Sequence, residues 1–300
     1  HNQSRRQRQM CIRDRLNLFM TIINPGENIL LPEPYFPLYG PDATLVGGEA
    51  KYYPCLFDHE FIPQVADLEA LVDDRTVAIL YNFPSNPTGG TLNEQQRDDL
   101  LAFAAKHDLW IISDEVYDRI VFETEHVSFM GTGYDKLMVV NSFSKTFAMT
   151  GWRIGYIVST NLEAMKQVVK IQYYISACSN DAMQYAVLEA MEKANDYPSM
   201  MATEFQKRCK LIVDRLNAMP GVQCHQPKGS IYVFPKVDVP GMSSEDVALE
   251  LLKDGVLCSP GSAFGPSGEG HLRFAYTIGQ DDIARGMDKV EATLTRLQQG

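Results

Sequence analysis

Five short, β-rich and largely apolar runs, each separated from the next by helical or turn-like sequence, constrain this chain more than anything else in it. They are ENILLP (27–32), AKYYPC (50–55), TVAILYNF (76–83), LWIISDE (109–115) and KLMVVNSF (136–143). A strand with one wet face alternates apolar and polar side chains, so a run that stays apolar must be covered on both faces. Such strands joined by helices imply an α/β fold, a mainly parallel sheet flanked by helices. Ligands in these folds bind beyond the carboxyl ends of the strands. The residues just after each run are therefore the first place to look for chemistry.

The intervening and following segments have their own signals. Asn93 followed by Gln96 reads as a helix N-cap with its box partner, and Leu100, Leu101, Phe103 and Ala104 supply an apolar face to a helix ending near His107. From about 161 to 219 the pattern is helical, with one break at Asp196-Tyr197-Pro198. After Pro220-Gly221 the character changes. Short strands (IYVF, 231–234; HLRFAY, 271–276) mix with helices at about 244–253 and 280–298, as in a smaller α+β domain.

A length of 300 residues accommodates about two domains. The division expected is a large sheet-bearing domain over 16–185 and a smaller C-terminal domain over 186–300. No repeat, low-complexity tract or flexible linker separates them, so the two should pack closely. The first fifteen residues, HNQSRRQRQMCIRDR, are basic, lack apolar periodicity and join abruptly onto globular sequence. They read as non-native junction sequence and are set aside from the fold argument.

Several function classes recede at once. With 27 basic against 38 acidic residues the net charge is −11, the wrong sign for tracking a phosphate backbone, so no nucleic-acid partner is expected. The six cysteines form no C-x-x-C pair and the six histidines no H-E-x-x-H, so neither a metal site nor a disulfide framework is suggested. No apolar run approaches a membrane span, and no signal peptide opens the chain, so a cytoplasmic location is expected. GPSGEG (265–270) imitates a glycine-rich phosphate loop, but it follows no strand-to-helix start and reads as a turn.

Four segments carry the chemistry: FPSNPTGG (83–90), SDEVYDRI (113–120), NSFSKTFAMTGWRIGY (141–156) and HLRFAYT (271–277). The first three follow or overlap the end of an expected strand and so can converge on one crevice. In this combination the chain resembles the fold type I pyridoxal-phosphate (PLP) enzymes, especially the class I/II aminotransferases of the aspartate and aromatic type. AMTGWRIGY (148–156) is similar to the bacterial and archaeal branch. Asn86, Asp114 and Lys145 fall 28 and then 31 residues apart, as that family requires. The resemblance runs from about residue 17 to the C-terminus.

The resemblance implies a role for each residue. Lys145 would hold PLP covalently and shuttle the substrate's α-proton. A lysine amine attacks an aldehyde only in its neutral form, which burial and a neighbouring cation favour. The plainer alternative is a surface lysine in a Ser-rich turn. Asp114, ending an apolar strand, would pair with the protonated pyridine nitrogen; alternatively it or Ser113 caps a following helix. Tyr117 would hydrogen-bond the cofactor's phenolate oxygen, or is simply a packed core tyrosine. Asn86 would donate to that same oxygen and touch the substrate carboxylate, with a cis peptide before Pro87; Asn-Pro-x-Gly alone is often only a turn. Ser142 and Arg153 would bind the cofactor phosphate, and Phe36 would stack on the ring. Arg273 would pair bidentately with the α-carboxylate, or is an exposed strand arginine; alternation sets it opposite Leu272, Phe274 and Tyr276.

The activity implied is transamination between an L-amino acid (aspartate, aromatic or other neutral) and a 2-oxo acid such as 2-oxoglutarate, in a homodimer. Rivals are a PLP-dependent carbon–sulfur β-lyase or other PLP enzyme of the same fold, and the ligand-sensing domain of a transcription regulator. A third is an inactive fragment, because the family's N-terminal arm and phosphate-cradling turn have no counterpart before Leu16. On that reading the chain should bind PLP weakly.

Overall fold

In the computed structural model, which describes residues 7–9, 11–123 and 125–299, one sheet dominates. It contains β1 (Gln7–Gln9), β2 (Asn28–Glu33), β3 (Glu49–Pro54), β4 (Thr76–Asn82), β5 (Trp110–Asp114), β6 (Leu137–Ser142) and β7 (Gly155–Val158), in the order β1-β7-β6-β5-β4-β2-β3. Strands β2 to β6 run parallel; β7 is antiparallel to β6, and β1 to β7. The junction reading of residues 1–15 falls partly outside the described residues.

Why the runs are apolar throughout is visible in their packing. Along β4, Ala78 and Leu80 join one apolar cluster while Ile79 and Tyr81 join another on the opposite face. Helices α1 (Cys11–Ile22) and α2 (Tyr39–Leu45) supply Leu18, Phe19 and Ala43 to the first face. Helices α3 (Val65–Leu71) and α4 (Glu94–Lys106) supply Leu68, Leu100 and Phe103 to the second. Each fully buried aliphatic side chain stabilises the fold by about 1.5–3 kcal/mol relative to exposure. The capping box on α4 forms as its sequence implies. Asn93 Oδ1 accepts from the Gln96 amide at 2.8 Å, and the Asn93 amide donates to Gln96 Oε1 at 2.9 Å.

The short α5 (Phe143–Thr146) follows β6 directly, and three helices come after β7: α6 (Leu162–Ser176), α7 (Asp181–Lys193) and α8 (Tyr197–Asn217). The single break expected between 161 and 219 is thus two. Asn180 opens the additional one by accepting from the Met183 amide at 3.3 Å as the cap of α7. Pro198 lies in the first turn of α8, where its missing N–H costs nothing.

The remaining elements are β8 (Val222–Gln223), β9 (Tyr232–Val233), β10 (Lys236–Val237), α9 (Ser244–Lys253), β11 (Ser259–Pro260), β12 (Leu272–Ala275) and α10 (Gln280–Gln299). All of them but β11 contribute to an apolar cluster shared with α8. On α10, Ile283, Met287, Val290 and Leu294 recur at helical spacing and turn inward onto it. Among the described residues no helix is long and apolar enough to cross a membrane.

Candidate active site

The carboxyl ends of β4, β5 and β6 lie side by side, with Asn82 in register with Asp114 and Asp114 with Val140. Asn82 ties this edge together. Its amide nitrogen donates to the Asp114 carbonyl at 3.0 Å, and its Oδ1 accepts from the Asn86 backbone N–H at 3.0 Å. The loop carrying Asn86 is thereby drawn back over the strand ends. The peptide before Pro87 is cis, as the resemblance implies, and so are those before Pro34 and Pro84.

Asp114 is 2% exposed. Its Oδ2 accepts from the Tyr39 hydroxyl at 3.0 Å and from Arg15 Nη1 at 3.3 Å, while Oδ1 is buried with no hydrogen-bond partner among the described residues. Burial raises its pKa, opposed chiefly by the Arg15 charge and then by the Tyr39 hydrogen bond. Turns, not an α-helix, follow β5, so neither Ser113 nor Asp114 is a helix cap. Ser113 instead donates to Glu115 Oε1 at 2.9 Å.

Lys145 rides on α5, directly after β6. The Ser142 hydroxyl caps that turn, accepting from the Ser144 amide at 3.1 Å and donating to the Ile154 carbonyl at 3.1 Å. Lys145 Nζ stands 5.5 Å from the centroid of the buried Tyr117 ring. Burial pushes the Tyr117 phenol well above its ordinary pKa, with Tyr232 adding to the shift. Arg153 holds a left-handed backbone conformation at φ 56° and donates to the Thr150 carbonyl.

Phe36, Asn86, Asp114, Tyr117, Ser142, Lys145 and Arg153 all line one cavity of about 280 Å³. Arg273 adjoins it through Asn86, whose Oδ1 accepts from Arg273 Nη1 at 3.0 Å. Its Nη2 reaches Ser259 Oγ at 3.1 Å, and its guanidinium lies over the rings of Tyr232 (4.4 Å) and Phe264 (4.7 Å).

Sequence reasoning passed over seven further lining residues, of which Arg15, Tyr39, Asn82 and Tyr232 make the polar and aromatic contacts that matter most here. Asn82 carried the same signal as Asp114, a polar residue closing an apolar strand. Tyr39 follows Phe36 by three residues at the start of α2, a spacing that sets both on one side of a helical turn. Arg15 was set aside with the basic leader.

A lysine, a buried carboxylate and an amide, each carried at or just past the end of a parallel strand, define an enzyme site of the α/β sheet class. Within that class the chain belongs to the aminotransferase class I and II family, whose sequence model matches residues 14–290. An aspartate aminotransferase of Pyrococcus abyssi is 35% identical over 278 residues, covering 91% of this chain and 71% of the relative. An aromatic-amino-acid aminotransferase of Thermococcus litoralis is 34% identical over 280 residues, covering 91% and 72%. The crystal structure of an aromatic aminotransferase from Pyrococcus horikoshii superposes with a TM-score of 0.93 at 33% identity, covering 98% of this chain and 80% of that one. The chain has the type I fold of PLP-dependent transferases and is an aminotransferase.

Proposed function

We propose that this chain moves the amino group of an L-amino acid, aspartate, aromatic or another neutral one, to a 2-oxo acid such as 2-oxoglutarate, using PLP carried on Lys145. One observation carries the reading. Asn86, Asp114 and Lys145, far apart in sequence, line a single cavity at the carboxyl edge of the sheet.

The residues present fit that cofactor. The partnerless, buried Oδ1 of Asp114 suits a protonated ring nitrogen, and the Phe36 face lines the same cavity. When bound, PLP supplies an electron sink for the charge left at the substrate's α-carbon. The chain's residues do the rest. Asp114 holds the ring nitrogen protonated, Phe36 stacks on the ring, and Tyr117 with Asn86 reaches its phenolate oxygen. Arg153 takes the phosphate, joined by Ser142 once its hydroxyl turns from the Ile154 carbonyl. The Lys145 amine holds and moves the α-proton, and Arg273 with Asn86 orients the substrate carboxylate so that every amino acid enters the same way.

We read residues 16–185 as the cofactor-binding domain and 186–300 as a smaller one, supported by the apolar cluster that α8, α9 and α10 build, which takes in only Val116, Tyr117, Ile120 and Phe122 from before residue 186. The family resemblance also suggests a homodimer, in keeping with the exposed Tyr173, Tyr174 and Tyr185 on α6 and α7. The free thiols at Cys55, Cys209 and Cys224 accord with a reducing cytosol.

Borohydride reduction of the PLP-loaded protein followed by peptide mapping should place the phosphopyridoxyl label on Lys145. A label on any other lysine overturns the assignment. Incubation with an amino acid and 2-oxoglutarate should yield glutamate; pyruvate and ammonia would point instead to β-elimination.

A further inference from the structure

We propose that Arg15 is an internal stand-in for the cofactor ring: its guanidinium fills the slot between Phe36 and Asp114, and PLP must expel it to bind. The inference rests on the functional reading above, which assigns that slot to the ring.

Arg15 lies on α1, three, four and seven residues before Leu18, Phe19 and Ile22, all of which pack into the sheet's core. The spacing puts Arg15 on the inner face of the helix, and it is only 3% exposed. Its guanidinium lies 4.8 Å from the Phe36 ring centroid and 5.1 Å from that of Tyr39. Nη1 donates to Asp114 Oδ2 at 3.3 Å, and Nε stands 3.9 Å from Asp42 Oδ2.

A guanidinium is a planar, delocalised cation whose N–H groups suit carboxylates and whose faces suit aromatic rings. A protonated pyridine ring is likewise planar, cationic and an N–H donor. The slot offers what both need, an aromatic face and a buried carboxylate, and the guanidinium already engages both. Arg15 also supplies the largest opposition to the burial-driven rise of Asp114. It therefore opposes the protonation that burial favours at Asp114 in the cofactor-free chain. Arg15 is the last residue of the basic stretch set aside above as junction sequence, but the family model's match begins at residue 14 and takes it in, and its side chain packs with the domain core.

The test compares PLP affinity, by equilibrium dialysis and absorbance, of the unaltered chain with Arg15→Ala and with Arg15→Met, which keeps most of the side chain's packing. Both variants should bind PLP more tightly, by about ten- to a hundredfold, the worth of one charge-assisted contact. Without PLP both should melt at a lower temperature than the unaltered chain. Methylguanidinium should compete with PLP in Arg15→Ala. Equal or weaker PLP affinity in both variants would overturn the competition while leaving the cofactor site intact. Failure of all three proteins to bind PLP would overturn the functional reading and the competition with it.

Discussion

Replacing Asp114 by Asn tests the role on which the chemistry most depends. The side chain keeps its shape, and its amide oxygen still accepts the Tyr39 hydroxyl that now approaches at 3.0 Å. What is lost is the charge, in a site only 2% exposed to water. Removing one partner of a buried charge pair costs about 3–5 kcal/mol, because the other charge is left uncompensated. At about 1.4 kcal/mol per decade, α-proton removal should slow by roughly two to four orders of magnitude. A neutral partner no longer holds the ring nitrogen protonated, so the loss belongs in kcat more than in KM.

The assay follows each half-reaction separately by the cofactor's absorbance, with aspartate and then with 2-oxoglutarate, and repeats the first with α-deuterated aspartate. A slowed proton removal should make the isotope effect larger. PLP should remain attached, with borohydride still labelling Lys145. Turnover within about fivefold of the unaltered chain would refute the electron-sink role, since no group among the described residues offers a second buried carboxylate at that position.

Two further outcomes follow from the same geometry. Arg273→Ala should lower kcat/KM by about a hundredfold for both the amino acid and the 2-oxo acid, through loss of a charge-assisted contact that also sets orientation; an effect confined to one half-reaction would show that Arg273 reads the side chain instead. Burial, opposed by Arg15, pushes the Asp42 carboxyl up from 3.8 to about 6, so its contribution to stability is present below about pH 4 and lost as pH rises through about 6. Asp42→Asn should therefore melt progressively higher than the unaltered chain between those two values, and a difference independent of pH would contradict the assignment.

Much of the fold was legible because its signals are local. The runs that form β2, β4, β5 and β6 were visible since both faces of each strand are buried, so pattern and packing coincide; β3, at the sheet's edge, is mostly half-buried. The Asn93 cap was visible because its partner is three residues away. Strand β7 was missed for the converse reason. Its Gly-Tyr-Ile-Val alternates between buried and half-buried positions, and a search for continuous apolar runs passes over it. The break before α7 was missed because Ser179-Asn180-Asp181 interrupts a stretch whose helical composition is otherwise unbroken.

The site was legible for a different reason, which lies in the register of the parallel strands. Asn82 sits opposite Asp114, and Asp114 opposite Val140. Asn86 lies four residues beyond the first of these positions and Lys145 five beyond the last. The spacings of 28 and 31 are thus the lengths of two strand-to-strand connections, trimmed or extended by the few residues that overhang the sheet. A change of even one residue in either overhang would turn a side chain away from the cavity, whereas the same change within α4 would be absorbed by its exposed end. Contacts that depend on no such register left a fainter trace in the sequence, for Tyr39 only its three-residue spacing from Phe36 and for Arg15 none. Tyr39 and Arg15 reach Asp114 from α2 and α1, across 75 and 99 residues, and only the packing of those helices on the sheet brings them there.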